Sequence, residues 1–256
     1  MPSWDANQYS VFLDDRTRPV RDLLARVELD GPQRVLDVGC GPGNSTALLC
    51  DRLPQAEVVG LDSSPEMLAR ARQELPEVEF VEADLRDWVS EAPFDVVYSN
   101  ATLQWVDDHP KVFSRISSWV ALGGTLAVQM PANFGAPSHR LLRALANSPR
   151  WAERLDGVLR EDPVDSAEFY HRLLSGRGRR VDIWTTEYLQ TLTGDDAVLE
   201  WVRGTALRPV LDTLAGEEAE EFVAAYAASL REAYPPEEDG STLFPFRRIF
   251  IVVSGL

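Results

Sequence analysis

Residues 35–43 read Val-Leu-Asp-Val-Gly-Cys-Gly-Pro-Gly, a β-branched run carrying one acid that ends in three glycines at alternate positions. Only glycine lets a backbone turn sharply out of a buried strand and then lie against a ligand, so Gly39, Gly41 and Gly43 mark a junction from strand to helix. The helix that starts near Asn44-Ser-Thr46 offers unpaired N–H groups and the positive end of its dipole to an anionic group. Asp62 ends the next β-branched run, 19 residues past Gly43, where a carboxylate can accept two ribose hydroxyl hydrogen bonds. Loop and acid together point to a nucleoside.

The rest of the chain repeats this alternation. Short apolar runs at Arg34–Val38, Glu57–Asp62, Val78–Glu82, Phe94–Tyr98 and Gly124–Gln129 suit strands covered on both faces. Helical patterns lie between them at Ser45–Leu53, at Pro65–Glu74 behind the cap-like Ser63-Ser64, and at Lys111–Val120. Strand alternating with helix implies a parallel sheet with right-handed crossovers. After Met130 the rhythm breaks into helices over 137–175, a strand pattern at Val181–Tyr188, a second helical block at 195–234 and a last strand at Phe246–Val253. The expectation is one α/β domain over 1–256. It divides into an N-terminal helical cover (1–30), a cofactor-binding core (31–135), a helical insertion (136–178), strand six (179–194), a helical lid (195–240) and the last strand (241–256).

Composition removes other classes. With 25 Lys+Arg against 41 Asp+Glu, the formal net charge of −16 repels phosphates, so nucleic acid is not an expected partner. No stretch approaches the roughly 20 apolar residues of a membrane span, and the first residues lack a signal-peptide pattern, so a soluble, cytoplasmic protein with no membrane partner is expected. Cys40 and Cys50 are too few for a disulfide scaffold. His109, His139 and His171 lack metal-ligand spacing, so no metal is expected. Ser63 and Ser64 read as helix caps rather than nucleophiles, because no G-x-S-x-G surrounds them.

Two cofactor classes share the loop-and-acid layout. A dinucleotide fingerprint wants a glycine where this chain has Asn44, and Pro42 stiffens the loop. The D-x-G-x-G-x-G form at Asp37–Gly43 instead resembles the first motif of the class I S-adenosylmethionine-dependent methyltransferases. That resemblance implies a Rossmann-like seven-stranded sheet, mostly parallel with an antiparallel last strand, with helical lid insertions. It implies that Asp37, Gly39, Gly41, Gly43 and Asn44 receive the methionine part of S-adenosylmethionine, and that Asp62 and Ser63 meet the ribose. Asp84 and the Leu85 backbone would meet the adenine, and Asn100 and Ala101 would lie near the sulfonium. Asp84 alone reads equally well as a turn residue. The runs Gly39–Leu49, Asn100–Trp105, Ala127–Pro131, Val181–Trp184, Gly204–Pro209 and Leu243–Val253 further resemble the trans-aconitate methyltransferase family, over nearly the whole chain. Arg247 departs from the pattern, where proline would be accepted, and Arg248 is the safer of the two arginines.

Such an enzyme esterifies one carboxylate of a small polycarboxylate, the expected partner, and releases S-adenosylhomocysteine. A carboxyl with a pKa near ~4.3 is already ionised at neutral pH, so no general base and no catalytic residue in the strict sense is needed. Positioning remains, and arginine grips spectator carboxylates with two charge-assisted hydrogen bonds. Arg18, Arg208, Arg247 and Arg248 are the candidates, while Arg16, Arg177, Arg179 and Arg180 read as solvated turn residues. Gln104, Trp105, Trp184 and Tyr188 are the other substrate-side candidates, against the equally ordinary reading of core packing. A malonyl-carrier-protein methyltransferase is the nearest rival, although an acidic chain docks poorly on an acidic carrier. An NAD-binding dehydrogenase and a non-catalytic cofactor-binding module remain from other classes. Residues 1–24 and 195–234, with Trp4, Tyr9 and Trp201, are expected to close over the ligands.

Overall fold

The computed structural model describes residues 13–28 and 31–256, with side chains from Thr17 onward. Trp4 and Tyr9 of the expected cover lie outside the described residues. Helix α1 (Leu13–Leu24) precedes strand β1 (Arg34–Val38), α2 (Asn44–Arg52), β2 (Glu57–Asp62), α3 (Pro65–Glu74), β3 (Glu79–Glu82) and β4 (Phe94–Asn100). A 3-10 turn at Leu103–Trp105 leads to α4 (His109–Ser117) and β5 (Val120–Pro131). Helices α5 (Pro137–Ala146), α6 (Ala152–Leu155) and α7 (Ala167–Leu174) come before β6 (Arg180–Leu192). Helices α8 (Ala197–Arg203), α9 (Arg208–Thr213) and α10 (Gly216–Ala233) come before β7 (Thr242–Ser254).

The seven strands lie in the order β3-β2-β1-β4-β5-β7-β6. Pairing is parallel from β3 through β5, as the strand-helix alternation predicts, and antiparallel between β5 and β7, as the family resemblance implies. Val35, Leu36, Val38, Val96, Val97, Leu126 and Val128 are fully buried, which is why these strands read as continuous apolar runs rather than alternating ones. The strand order reverses between β1 and β4, so the loops leaving the C-terminal ends of those two strands diverge and open a crevice.

The chain divides into two compact units. The sheet unit holds 16–131, 164–186 and 248–256, and the other unit holds 132–163 and 187–247 among the described residues. In the sheet unit the Tyr98 hydroxyl donates to the Val20 carbonyl at 3.0 Å, tying α1 to β4. The second unit has its own core. Trp151 packs edge-on against Phe222 at 5.0 Å, and Trp201, Tyr226 and Phe244 are buried beside them. Ser138 pins the start of α5, its N–H donating to the Tyr234 hydroxyl at 3.1 Å and its carbonyl accepting from Tyr226 at 3.0 Å.

Boundaries shift from the expectation where glycine changes the register. Strand β5 begins at Val120 rather than Gly124, because Val120 already pairs with Phe94 before the ladder slips and resumes at Thr125 opposite Val96. The Gly123-Gly124 step makes this slip possible, since Gly123 has φ +83 and a Cβ on Gly124 would lie 2.7 Å from the Asp95 carbonyl. Gly60 in β2 is a second close approach, with a Cβ there falling 2.5 Å from the Phe80 ring and 3.0 Å from Cys40 Sγ. Gly60→Ala should therefore cost about 1–3 kcal/mol by overpacking. Urea unfolding with an unchanged midpoint would contradict this.

Candidate active site

The glycine loop leaves β1 at the crevice. Gly39 and Cys40 donate to the Leu61 carbonyl at 2.7 and 3.1 Å, so the loop folds over the end of β2. Gly39, Gly41 and Gly43 all have positive φ, at +71, +54 and +93. Their surroundings differ. A Cβ on Gly39 would lie 2.1 Å from Thr102 Cγ2, whereas nothing lies within 4 Å of one on Gly41. Gly39 is thus required by packing against the β4 loop, and Gly41 borders open space. Gly43 is the N-cap of α2 and supplies no side-chain cap, which leaves first-turn N–H groups, next to Asn44, for a ligand.

Two carboxylates hold this loop. Asp37 is completely buried, and its Oδ2 accepts from Ser45 Oγ at 2.7 Å and Thr46 Oγ1 at 2.8 Å. Its Oδ1 is buried with no hydrogen-bond partner. Burial pushes its carboxyl up to about 6 from 3.8, with the two hydroxyls pulling down and Asp62 pushing up. Through these bonds Asp37 positions the α2 start from beneath. Asp62 is half-buried, and its Oδ2 accepts from Gly41 N–H at 2.9 Å and its Oδ1 from Ser64 N–H at 2.8 Å. Each oxygen keeps a second lone pair for a hydroxyl. Ser63 is half-buried, and Ser64 caps α3 through Met67 N–H at 3.3 Å.

At the end of β3, Leu85 is buried, and Arg86 grips Asp84 through Nε at 2.9 and 3.1 Å and through its backbone N–H at 2.8 Å. Arg86 holds the Asp84 carboxyl below its ordinary value. The turn role of Asp84 is thereby real, and any adenine contact has to share it with Arg86. At the end of β4, Asn100 Oδ1 is buried with no partner among the described residues, and Ala101 sits at φ +54, a strained conformation for a residue with a Cβ. That strain is held from several sides. Ala101 N–H donates to the Gln129 carbonyl at 2.9 Å, Gln104 Nε2 donates to the Ala101 carbonyl at 2.6 Å, and Thr102 Oγ1 donates to the Gly39 carbonyl at 3.0 Å. Gln104 is 4% exposed and buttresses Ala101. Trp105 ends the same turn half-buried.

His109, which spacing alone left without a role, is buried behind that turn. Its Nε2 lies 3.0 Å from the Leu103 carbonyl, which only accepts, so the proton sits on Nε2 and Nδ1 takes the Tyr170 hydroxyl at 2.6 Å. Asp165 N–H in turn donates to Tyr170 at 3.1 Å. The partners are 61 residues apart in sequence, and no local pattern announces them.

Of the substrate-side candidates, Arg248 is buried at the end of the β5–β7 ladder opposite Pro131, with Nη1 3.3 Å from Gln129 Oε1. Trp184 stacks on Phe250 at 4.8 Å with the Arg26 guanidinium 5.1 Å above it, so its rings serve packing. Arg18 is exposed on α1. These belong with the loop to the sheet unit, while Tyr188, Arg208 and Arg247 belong to the other. Tyr188 is buried at 2% exposure. Arg208 pairs with Asp212 one turn on at 3.0 Å, and Arg247 is exposed. Among the described residues no cluster could hold a metal ion, and no helix is long and apolar enough to cross a membrane.

Comparison with known proteins agrees with this architecture. A methyltransferase domain family matches residues 35–124. The chain is 50% identical over 252 residues to the trans-aconitate 2-methyltransferase of Azoarcus sp. (strain BH72), covering 98% of this chain and 99% of that one. It is 52% identical to the trans-aconitate 2-methyltransferase of Streptomyces coelicolor, covering 98% of this chain and 86% of the relative. A crystal structure of a putative methyltransferase from Bacillus halodurans C-125 shares the fold with a TM-score of 0.61 at 14% identity, over 93% of this chain and 99% of that one.

The site generates two predictions. Between pH 4 and 6 the folded chain keeps a proton on Asp37 that the unfolded chain has lost, so this group lowers stability as pH rises through that window, by about 3 kcal/mol in all. Asp37→Asn removes the titration, and its stability relative to the parent should rise by about 1–3 kcal/mol from pH 4 to pH 7 in paired denaturant unfolding. A flat difference would refute the assignment. The glycines supply the second test. Gly41→Ala should fold with a loss of about 1–2 kcal/mol from its positive φ yet bind S-adenosylhomocysteine at least about tenfold more weakly, while Gly39→Ala should lose more stability than that. Calorimetry giving parental affinity for Gly41→Ala would remove Gly41 from the ligand surface.

Proposed function

The chain belongs to the trans-aconitate 2-methyltransferases, and we propose that it carries out the reaction of that name, transferring a methyl group from S-adenosylmethionine to a carboxylate of trans-aconitate. The products are the monomethyl ester and S-adenosylhomocysteine. The observation that carries this reading is the 50% identity across 98% of the chain, which runs through both compact units rather than through the glycine motif alone. Membership decides against the dinucleotide and carrier-protein readings. Two free cysteines, Cys40 and Cys50, agree with work in a reducing cytoplasm.

The residues present fit the cofactor. Gly41 faces open space, the α2 N-terminus lacks a side-chain cap, Asp62 has lone pairs to spare and Asn100 Oδ1 lacks a partner. When bound, S-adenosylmethionine supplies a methyl group on a sulfonium, whose carbon–sulfur electron pair stays on sulfur as a carboxylate oxygen takes the carbon. The chain's own task is to place that oxygen. Asp62 takes the ribose hydroxyls, Asp84 and Leu85 border the adenine, and Asn100 with the strained Ala101 lines the transfer point. Trp105 walls it from water. Arg248, fixed by Gln129, takes a spectator carboxylate, leaving the attacking one unclamped and nucleophilic. Correct placement of this kind supplies up to roughly 7–11 kcal/mol as effective concentration.

Turnover of trans-aconitate with S-adenosylmethionine, followed as ester and S-adenosylhomocysteine, tests the activity directly. Arg248→Ala should lower kcat/KM for trans-aconitate by about two to four powers of ten and leave S-adenosylhomocysteine affinity within about threefold. Absence of turnover in the parent protein would reject the function, and equal loss of both ligands would reject the role of Arg248.

A further inference from the structure

Gln129 lies in β5 with no exposed surface, in a run that is otherwise apolar. Its Oε1 accepts from Arg248 Nη1 at 3.3 Å. A guanidinium only donates, so this contact fixes which way the amide is turned and leaves Nε2, the donor, at the other end of the amide. Nε2 is buried there without a hydrogen-bond partner among the described residues. An unmet buried donor is destabilising, a cost that a leucine or methionine at this position would avoid.

The neighbours of Gln129 explain that cost. Asn100 and Phe250 are its partners in the ladders to β4 and β7, and Arg248 is two residues from Phe250, so all four side chains lie on one face of the sheet. The Gln129 carbonyl also accepts from Ala101 N–H at 2.9 Å, which binds it to the strained residue of the transfer loop. One residue therefore touches the expected methyl-transfer loop through its backbone and the expected carboxylate clamp through its side chain. An amide donor beside a guanidinium matches the two oxygens of a carboxylate.

We infer that Gln129 is a specificity-determining residue, whose Nε2 donates to the spectator carboxylate held by Arg248 while its Oε1 sets the guanidinium's pose. This rests on the polycarboxylate reading above. Two variants separate its parts. Gln129→Met removes both the donor and the anchor, and Gln129→Glu keeps an acceptor for Arg248 but removes the donor and places a like charge before the substrate. Both should raise KM for trans-aconitate by about 10- to 100-fold, with kcat within about threefold and calorimetric affinity for S-adenosylhomocysteine unchanged. A purely structural residue would lower kcat and cofactor affinity together. An unchanged KM in either variant, parallel loss of S-adenosylhomocysteine binding, or failure of both variants to fold overturns the inference. Parent turnover with unaltered variants sinks this inference alone, whereas a parent that binds S-adenosylhomocysteine but does not turn over trans-aconitate sinks the functional reading with it.

Discussion

The buried carboxylate of Asp37 is the constraint around which the sheet unit is organised. It sits on β1 with no exposed surface, and the hydroxyls of Ser45 and Thr46 turn down onto one of its oxygens. Those two bonds fix the first turn of α2, and the glycines between must then adopt the positive φ values seen at Gly39, Gly41 and Gly43. Gly39 in turn leaves room for Thr102, whose hydroxyl bonds the Gly39 carbonyl and so couples the β1 loop to the β4 loop across the point where strand order reverses. A charge that is unfavourable to bury thus sets the geometry of two loops at once. Natural sites commonly keep such local costs where function depends on them.

Much of this was legible in the residues, for physical reasons. A strand buried on both faces reads as an apolar run, and a loop that must pass under a side chain reads as glycine, so the sheet and its first junction followed from pattern alone. The same reasoning found Asp62 at a strand end, while the preference for Arg248 over Arg247 came from the family resemblance; Arg248 is buried and Arg247 exposed. What pattern could not reach was partnership across sequence. Arg86, two residues on, grips Asp84, so an adenine contact there would share its carboxylate. Gln104 Nε2 donates to the Ala101 carbonyl, a partnership its place in the sequence does not announce. Tyr188 and Gln129 sit in strands whose burial gives no clue to whether an aromatic or polar side chain serves packing or a ligand.

His109 illustrates the limit most plainly. Without metal-ligand spacing it has no motif, yet it fixes the Leu103 carbonyl on one side and takes Tyr170 on the other. The effect is to brace the turn that carries Gln104 and Trp105 against α7, an element far along the chain. A residue of this kind supports chemistry by limiting motion of the groups that perform it. The second unit does comparable work on itself. Ser138, Tyr226 and Tyr234 knot the start of α5 to α10 and the residue just beyond it, and the Trp151–Phe222 contact closes its core.

Charge has to be considered at two ranges. A net charge of −16 opposes the approach of a polyanion, but at physiological salt that field decays over a Debye length of about 8 Å and acts mainly on encounter rate. Recognition therefore depends on contacts at closer range; in the proposed clamp, Arg248 is 6% exposed and its Nη1 donates to Gln129 Oε1. Burial weakens screening, so each unit of charge there counts for more than at the surface. It also makes orientation matter more, since a guanidinium held at the wrong angle offers one hydrogen bond where two are needed. On the proposed clamp, selectivity for a carboxylate over other anions would come from the planar match between two donors and two oxygens, which a chain with an unfavourable overall field can provide only by fixing those donors before the ligand arrives.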